Sequence, residues 1–275
     1  MGLRRMFARS GVLMNELRLR MGAPAKHHDF VIVTACHNAE QYVRRNIDSI
    51  WDQVYPREHF TQVIIDDAST DVTSELVDLF VNDSPACRIE FIKNAERRGG
   101  CANLTRAFRA ASPDSIVLQV DGDDWLPDKN VLAFLNLVYQ DPDVWMTYNT
   151  WVFPDGREAR NCHPIDSGIM RENRYRDEAW MASHLHSFRA KLFGHVRDES
   201  LIDPQTGKPW SSAVDMAQYF PMLELAGSHA RHLERVLYVY NLHEGSIQNA
   251  NRERQLDCEQ RIRALQRYQP LETLD

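Results

Sequence analysis

Cysteine is scarce and poorly placed for its structural uses. The five residues Cys36, Cys87, Cys101, Cys162 and Cys258 are odd in number, widely spaced and contain no CxxC pair. That pattern argues against a disulfide framework and against a zinc site, and it fits a reducing, cytoplasmic compartment. Long apolar runs are missing as well. No stretch approaches the roughly 20 residues that a membrane-spanning helix needs, and the first residues lack the apolar core of a signal peptide. Nor is there a surplus of positive charge: 32 Lys and Arg against 39 Asp and Glu leave a formal net charge of −7. General nucleic-acid binding is therefore not expected. What is present is ordinary globular usage, 43% hydrophobic and 26% charged over 275 residues, enough for one large core or two small ones.

The segment "MGLRRMFARSGVLMNELRLRMG" sets Arg4, Arg5, Arg9, Arg18 and Arg20 among Met, Leu and Phe. It reads either as a solvated or partner-packed leader helix or as a peripheral contact with an anionic membrane. With the linker "APAKHHD" it makes a leader over residues 1–28. At the other end, residues 251–275 read as a charged helical tail, suited to a lid, a docking element or a homo-oligomer contact.

From residue 30 the pattern alternates between β-branched runs and helical periodicity. "FVIVTA" (30–35) is the first strand, and Tyr42, Val43, Ile47, Ile50, Trp51 and Val54 give the next helix its apolar face. "FTQVIID" (60–66) is the second strand, followed by Ser69 or Asp71 as N-cap and the apolar positions Val72, Leu76, Leu79 and Phe80. "RIEFIK" (88–93), a helix over 101–110 and "SIVLQV" (115–120) complete the series. Apolar strands separated by amphipathic helices predict an α/β fold with a mostly parallel sheet flanked by helices.

Ligands of such sheets bind beyond the carboxyl ends of the strands. Four polar clusters fall at those ends: "TACHN", "DDAST", "NAERRGGCAN" and "DGDDW". The last crowds Asp121, Asp123 and Asp124 into four residues, an arrangement that either lies open to water or is compensated by a cation.

The ordered set over residues 29–250 resembles the inverting family 2 glycosyltransferases of GT-A fold. "VIVTACHNAEQYVRRNIDSIWDQ" is similar to the family's opening strand and helix, and "VIIDDASTDVT" to its Asp-Asp-Gly-Ser-Thr-Asp turn, with Ala68 in place of Gly. "NAERRGGCANLTRAF" and "LQVDGDDWLP" resemble its Arg-Gly and DxD elements. "SAVDMAQYFPMLELAG" looks like the segment carrying the catalytic carboxylate, with Val214 where a Glu is usual, and "VLYVYNLHEGSIQ" like the terminal Tyr, His and Ser segment.

The resemblance implies a Rossmann-like nucleotide-binding half over 29–127 and a smaller acceptor-side, catalytic half over 128–250. It implies a nucleotide-sugar donor, most simply a UDP-sugar, a hydroxyl acceptor such as a glycan or lipid-linked glycan, and Mn²⁺ or Mg²⁺. Donor contacts then fall to Thr34, Ala35, Asn38, Asp66, Asp67, Arg98, Asp121 and Gly122. Asp66 and Asp67 would accept from base and ribose, and Arg97 with Arg98 offers planar cations to base or diphosphate. Asp123 and His243 are the expected metal ligands, with Asp124 in support. Asp215 is the expected general base, ahead of Glu199, Asp203 and Glu224. Trp180, His184, His186 and Trp210 are candidate acceptor contacts.

Two other classes compete. A phosphatase or phosphotransferase would use Asp121 as nucleophile, but Trp125 stands where that pattern continues with Thr or Val. A non-catalytic nucleotide-sugar-binding module would have little use for Asp121, Asp123, Asp215 and His243 together.

Overall fold

A computed structural model describes residues 24–159, 162–243 and 252–275. The arginines of the leader and the Gly245–Ser246 pair lie outside the described residues, so the membrane reading of the leader is not addressed by the structure.

The chain begins β1 (Phe30–Cys36), α1 (Val43–Trp51), β2 (Phe60–Asp66), α2 (Thr73–Asp83), β3 (Ile89–Lys93), α3 (Gly100–Ala110) and β4 (Ile116–Gln119). These elements follow the expected series to within a residue or so at each end. The chain continues through α4 (Val131–Val138), β5 (Met146–Asn149), α5 (Ser167–Arg171), β6 (Ser187–Arg189) and α6 (Ala190–Gly194). A short hairpin of β7 (Ile202–Asp203) and β8 (Lys208–Pro209), then α7 (Val214–Ala226), β9 (Ala230–Leu233) and α8 (Arg252–Ala264) complete it.

Seven strands form one sheet in the order β3-β2-β1-β4-β6-β5-β9, in which only β6 runs against its neighbours. Its central strands are apolar on both faces, as a sheet covered on both sides requires. Phe30, Ile32, Ile64, Ile116 and Leu118 point to α1, α2 and α4. Val33, Val63, Ile65 and Val117 point to α3, α6 and α7 on the opposite side. The tail belongs to this second layer, since α8 buries Cys258 and Ile262 there and Tyr268 follows them in.

Three expected core positions are corrected. Val54, Val72 and Leu79 are 60%, 51% and 55% exposed, because Val54 lies beyond the end of α1, Val72 precedes the start of α2, and Leu79 is on the face of α2 away from the buried Val77 and Phe80. Of the two candidate caps for α2, Asp71 meets the helix: its carboxylate accepts from Thr73 N–H at 3.0 Å.

Register sets the rim. Cys36 pairs with Asp66 and Asp66 with Lys93, so β1, β2 and β3 end at one level. At β4 the chain bends back onto β1, with Val120 N–H donating to Val33 and Gly122 N–H to Ala35. The four polar loops therefore open on the same edge.

Candidate active site at the strand ends

The first two loops are joined to each other. Asn38, with a left-handed φ of 52°, donates its N–H to Ser69 Oγ at 2.9 Å and accepts from Thr70 N–H at 2.8 Å. Ala39 N–H reaches Thr73 Oγ1 and Glu40 N–H reaches Asp71. Asp66 is buried and accepts from the hydroxyls of Ser69 and Ser74. Asp67 is also buried and gathers the third loop, accepting from Asn94 Nδ2 (2.9 Å), Arg98 N–H (2.8 Å) and Gly99 N–H (2.9 Å). Burial alone would raise its pKa, but these donors overcome that effect and pull it down to about 2. The Arg97 guanidinium lies 3.5 Å from the same carboxylate, while the Arg98 side chain is exposed.

The acidic turn is pressed against β1. A Cβ on Gly122 would stand 2.4 Å from Cys36 Cβ, so only glycine allows this approach. The three carboxylates part company here. Asp121 accepts from Gln119 Nε2 at 2.8 Å, and burial followed by the Asp123 charge pushes its pKa up to about 6. Asp124 is turned inward, accepting from Tyr238 Oη (2.6 Å) and Asn241 N–H (2.7 Å). Burial and then its two acidic neighbours hold its pKa well above the ordinary carboxylate range. Asp123 points to His243 Nε2, 2.9 Å away. The imidazole lies against the Tyr42 ring with centroids 4.6 Å apart.

Asp215 occupies the first turn of α7, just after Ala213 takes a left-handed φ of 50° that turns the chain into the helix. It is half-buried, and its carboxylate accepts from Met216 N–H at 2.9 Å. Burial raises its pKa, opposed by His184, Met216 N–H and the Trp180 indole. His184 is lowered by burial, against the pull of Asp215 and Asp123. It stacks on Tyr238 at 4.8 Å and on Tyr240 at 5.6 Å, which sets it between the acidic turn and Asp215.

The alternative bases stand elsewhere. Glu224 is buried in an ion pair with Arg176 at 2.5 Å, Asp203 pairs with Arg261 at 3.0 Å, and Glu199 is exposed. Two surface cavities of about 520 and 460 Å³ lie against α3, and none of the site carboxylates lines either.

Three expected contacts are corrected. Thr34 is fully buried on the interior strand β1 and bonded to Asn46 and Gln62, so its side chain does not reach the rim. His186 is fully buried, stacked on Tyr219 at 3.5 Å, with Nε2 bonded to the Ala182 carbonyl. Trp210 is 1% exposed and donates Nε1–H to the Ser200 carbonyl, making it core. Asn46 escapes the sequence reading altogether, Tyr42 is read there as part of an apolar helix face, and Tyr238 and Tyr240 enter only within the terminal segment. The signal available for Asn46 is a polar residue at the border of the apolar helix face, in line with Ser49 and Gln53.

The donor set suits a hard divalent cation. Asp123 and His243 meet at 2.9 Å, and burial together with the neighbouring carboxylates raises the pKa of Asp121 and Asp124 beside them, a repulsion that a cation would relieve. Among the described residues no group of three His, Cys, Asp or Glu forms a complete cage. Mg²⁺ and Mn²⁺ sites often need none, taking one or two protein ligands plus water and substrate phosphate.

Comparison with known proteins accords with this geometry. Poly(ribitol-phosphate) beta-N-acetylglucosaminyltransferase TarS of Staphylococcus aureus is 25% identical over 115 residues, 41% of this chain and 20% of TarS. The putative teichuronic acid biosynthesis glycosyltransferase TuaG of Bacillus subtilis is 24% identical over 98 residues, 36% of this chain and 37% of TuaG. The matched regions thus span well under half of either relative. Among solved structures, S. aureus TarS 1–349 in complex with UDP superposes with a TM-score of 0.57 at 19% identity, covering 78% of this chain and 60% of that one. Mannosyltransferase PcManGT from Pyrobaculum calidifontis, in complex with GDP-Man and Mn²⁺, gives 0.59 at 19% identity, covering 88% and 67%. The fold is that of the GT-A glycosyltransferases. The family model for glycosyl transferase family 2 matches residues 31–194, well over half of the sequence and all four strand-end loops, and the chain belongs to that family.

Proposed function

We propose that the chain transfers a sugar from a nucleoside diphosphate sugar, most simply a UDP-sugar, to a hydroxyl of a glycan or lipid-linked glycan, inverting the anomeric centre with help from Mn²⁺ or Mg²⁺. The observation that carries this reading is the convergence of two acidic groups with different surroundings. The Asp123–His243 pair is half-buried and adjacent to other carboxylates, and Asp215 is half-buried beside a histidine whose pKa burial lowers.

Asp123 and His243 would hold the cation with the diphosphate oxygens. Bound there, it supplies charge neutralisation for the departing nucleoside diphosphate. Asp121 is left to a ribose hydroxyl or a metal-bound water. Ala35, Asn38, Gly122 and the 94–99 loop form the donor rim, with Asp66 and Asp67 acting chiefly by ordering it and Arg98 reaching the base or diphosphate. Asp215 takes the proton of the attacking hydroxyl; its raised pKa makes it a stronger base than an exposed carboxylate. His184 and Trp180 border Asp215 and position both it and the acceptor.

The test is proton NMR of the protein with UDP-sugars and Mn²⁺. Metal-dependent release of UDP with a product of opposite anomeric configuration supports the proposal. Retained configuration would remove the single-displacement mechanism. Phosphate release from simple phosphomonoesters, lost in Asp121→Asn, would favour the phosphotransfer reading. Binding without turnover in the presence of any hydroxyl acceptor would favour a binding module.

A further inference from the structure

Tyr42, Asn46, Ser49 and Gln53 recur at helical spacing from the residue before α1 to the second residue after it, and they make a polar stripe beside the apolar positions Val43, Ile47 and Ile50 that anchor the helix. Three of the four touch the acidic turn or the segment after it, and the fourth touches His243. Tyr42 lies against His243. Asn46 Nδ2 donates to the carbonyls of Asp121 and Asp124, each at 2.9 Å. Ser49 Oγ accepts from Leu126 N–H at 3.1 Å. Gln53 donates to the Asp128 carbonyl at 2.7 Å and accepts from Leu132 N–H at 3.1 Å.

Asn46 is the member that brackets Asp123. Its two bonds fix the backbone on either side of that residue, and Asp124 N–H closes the turn onto the same Asp121 carbonyl at 3.0 Å. Asn46 is itself fully buried and fixed from behind: Oδ1 accepts from Gln62 Nε2 at 3.1 Å, and Gln62 Oε1 accepts from Trp51 Nε1 at 3.0 Å. The amide therefore has one orientation, with both protons delivered to the turn. A buried network with every group paired is rigid, and it is costly to leave half-paired.

We propose that Asn46 is a positioning residue for the metal site: it holds the 121–124 backbone so that the Asp123 carboxylate meets the cation at the point His243 reaches. This rests on the proposed function, since it presumes that the Asp123–His243 pair binds a cation with a nucleoside diphosphate. Groups that orient ligands from behind typically change metal affinity by about 10- to 100-fold when removed.

The experiment titrates Mn²⁺ into full-length protein with saturating UDP, reading free Mn²⁺ by electron paramagnetic resonance. Asn46→Ala is expected to weaken Mn²⁺ uptake about 10- to 100-fold. Asn46→Asp, of nearly the same shape, sets oxygens against the two carbonyls and is expected to weaken it as much; it carries the test should the alanine variant not fold. Gln53→Ala is the control, because it removes the same kind of bonds farther from Asp123. It should lower the melting temperature yet leave Mn²⁺ affinity within about twofold, a change too small to count as loss of an orienting group. A folded Asn46 variant with wild-type Mn²⁺ affinity overturns the proposal, as does an equal loss in Gln53→Ala. Wild-type protein that takes up no Mn²⁺ with either UDP or GDP overturns the functional reading, and this inference with it.

Discussion

At the scale of single residues, environment separates carboxylates that the sequence presents alike. Asp121, Asp123 and Asp124 are neighbours, yet one is bonded to Gln119, one faces His243 and one is sealed inside by Tyr238 and Asn241. Asp215 stands apart beside His184, where the proposed transfer needs a proton acceptor. Asp215→Asn should leave UDP and Mn²⁺ binding intact while lowering transfer by about 10²- to 10⁴-fold. Calorimetry and single-turnover rates check both halves, and near-normal transfer would place the base elsewhere. Ala68 is a second residue-scale case. Its φ of 57° is left-handed, at a position where the family pattern has Gly. That conformation costs an L-residue ~1–2 kcal/mol, while glycine loses ~0.4–1 kcal/mol more chain entropy. Ala68→Gly is expected to stabilise by about 0.5–1 kcal/mol in denaturant titration, and a destabilised variant would contradict this.

Elements matter through the loops they end in. β2 finishes in two buried aspartates whose bonds run outward, Asp66 to its own turn and Asp67 to the loop after β3. Asp67 therefore orders residues 94–99, part of the proposed donor rim. In Asp67→Ala the Arg98 and Gly99 amides lose their acceptor. Hydrogen exchange at those amides should quicken, and UDP should bind about 10- to 100-fold more weakly, the scale of lost charged hydrogen bonds. Unchanged exchange would show that the loop holds its shape unaided. Periodicity made α1 and α2 legible as helices but misjudged where they end and, at Leu79, which face is covered. Val54, Val72 and Leu79 are exposed although apolar, while Asn46 is buried although polar. Hydrophobicity ranks residues by transfer energy alone, and a fully paired amide escapes that ranking.

For the whole molecule, the tail is part of the core. Arg176 and Glu224 form a buried ion pair, Arg176 Nη1–H donates to the Ile262 carbonyl at 2.6 Å, and Tyr268 N–H donates to Glu224 at 3.0 Å. Removing one member strands a buried charge, so Arg176→Ala should cost ~3–5 kcal/mol in chemical denaturation. A loss below 1 kcal/mol, about the worth of an exposed pair, would mean that the pair is solvated. Acid sensitivity follows from the histidines. Burial holds His28 down to about 4 and His186 well below its usual range. Unfolded histidines take up protons below about pH 6.5, and these two do not while folded. The unfolded state then binds more protons, and their contribution to stability, full above that pH, falls on acidification. His186→Phe removes one share. Its stability should decline less steeply than wild type between pH 6.5 and 5, by up to about 1.4 kcal/mol per pH unit; parallel slopes would show that His186 titrates normally. Retained transfer in the same variant would agree with its place in the core.

The sequence by itself determined the alternation of strands and helices, the parallel core of the sheet and the four polar loops at its rim. These are local or periodic properties, set by backbone preference and by which face must leave water. The family motifs, read in order, added the family to which the chain belongs. Tertiary structure decided which polar residues face the rim and which are enclosed. Thr34, His186 and Trp210 carry groups suited to a ligand, yet each found its partner inside the protein. Partners such as Asn46 and Asp124, or Asp123 and His243, are separated by 78 and 120 residues. Their meeting depends on strand register and on the return of the chain after β9, which no single stretch of sequence encodes.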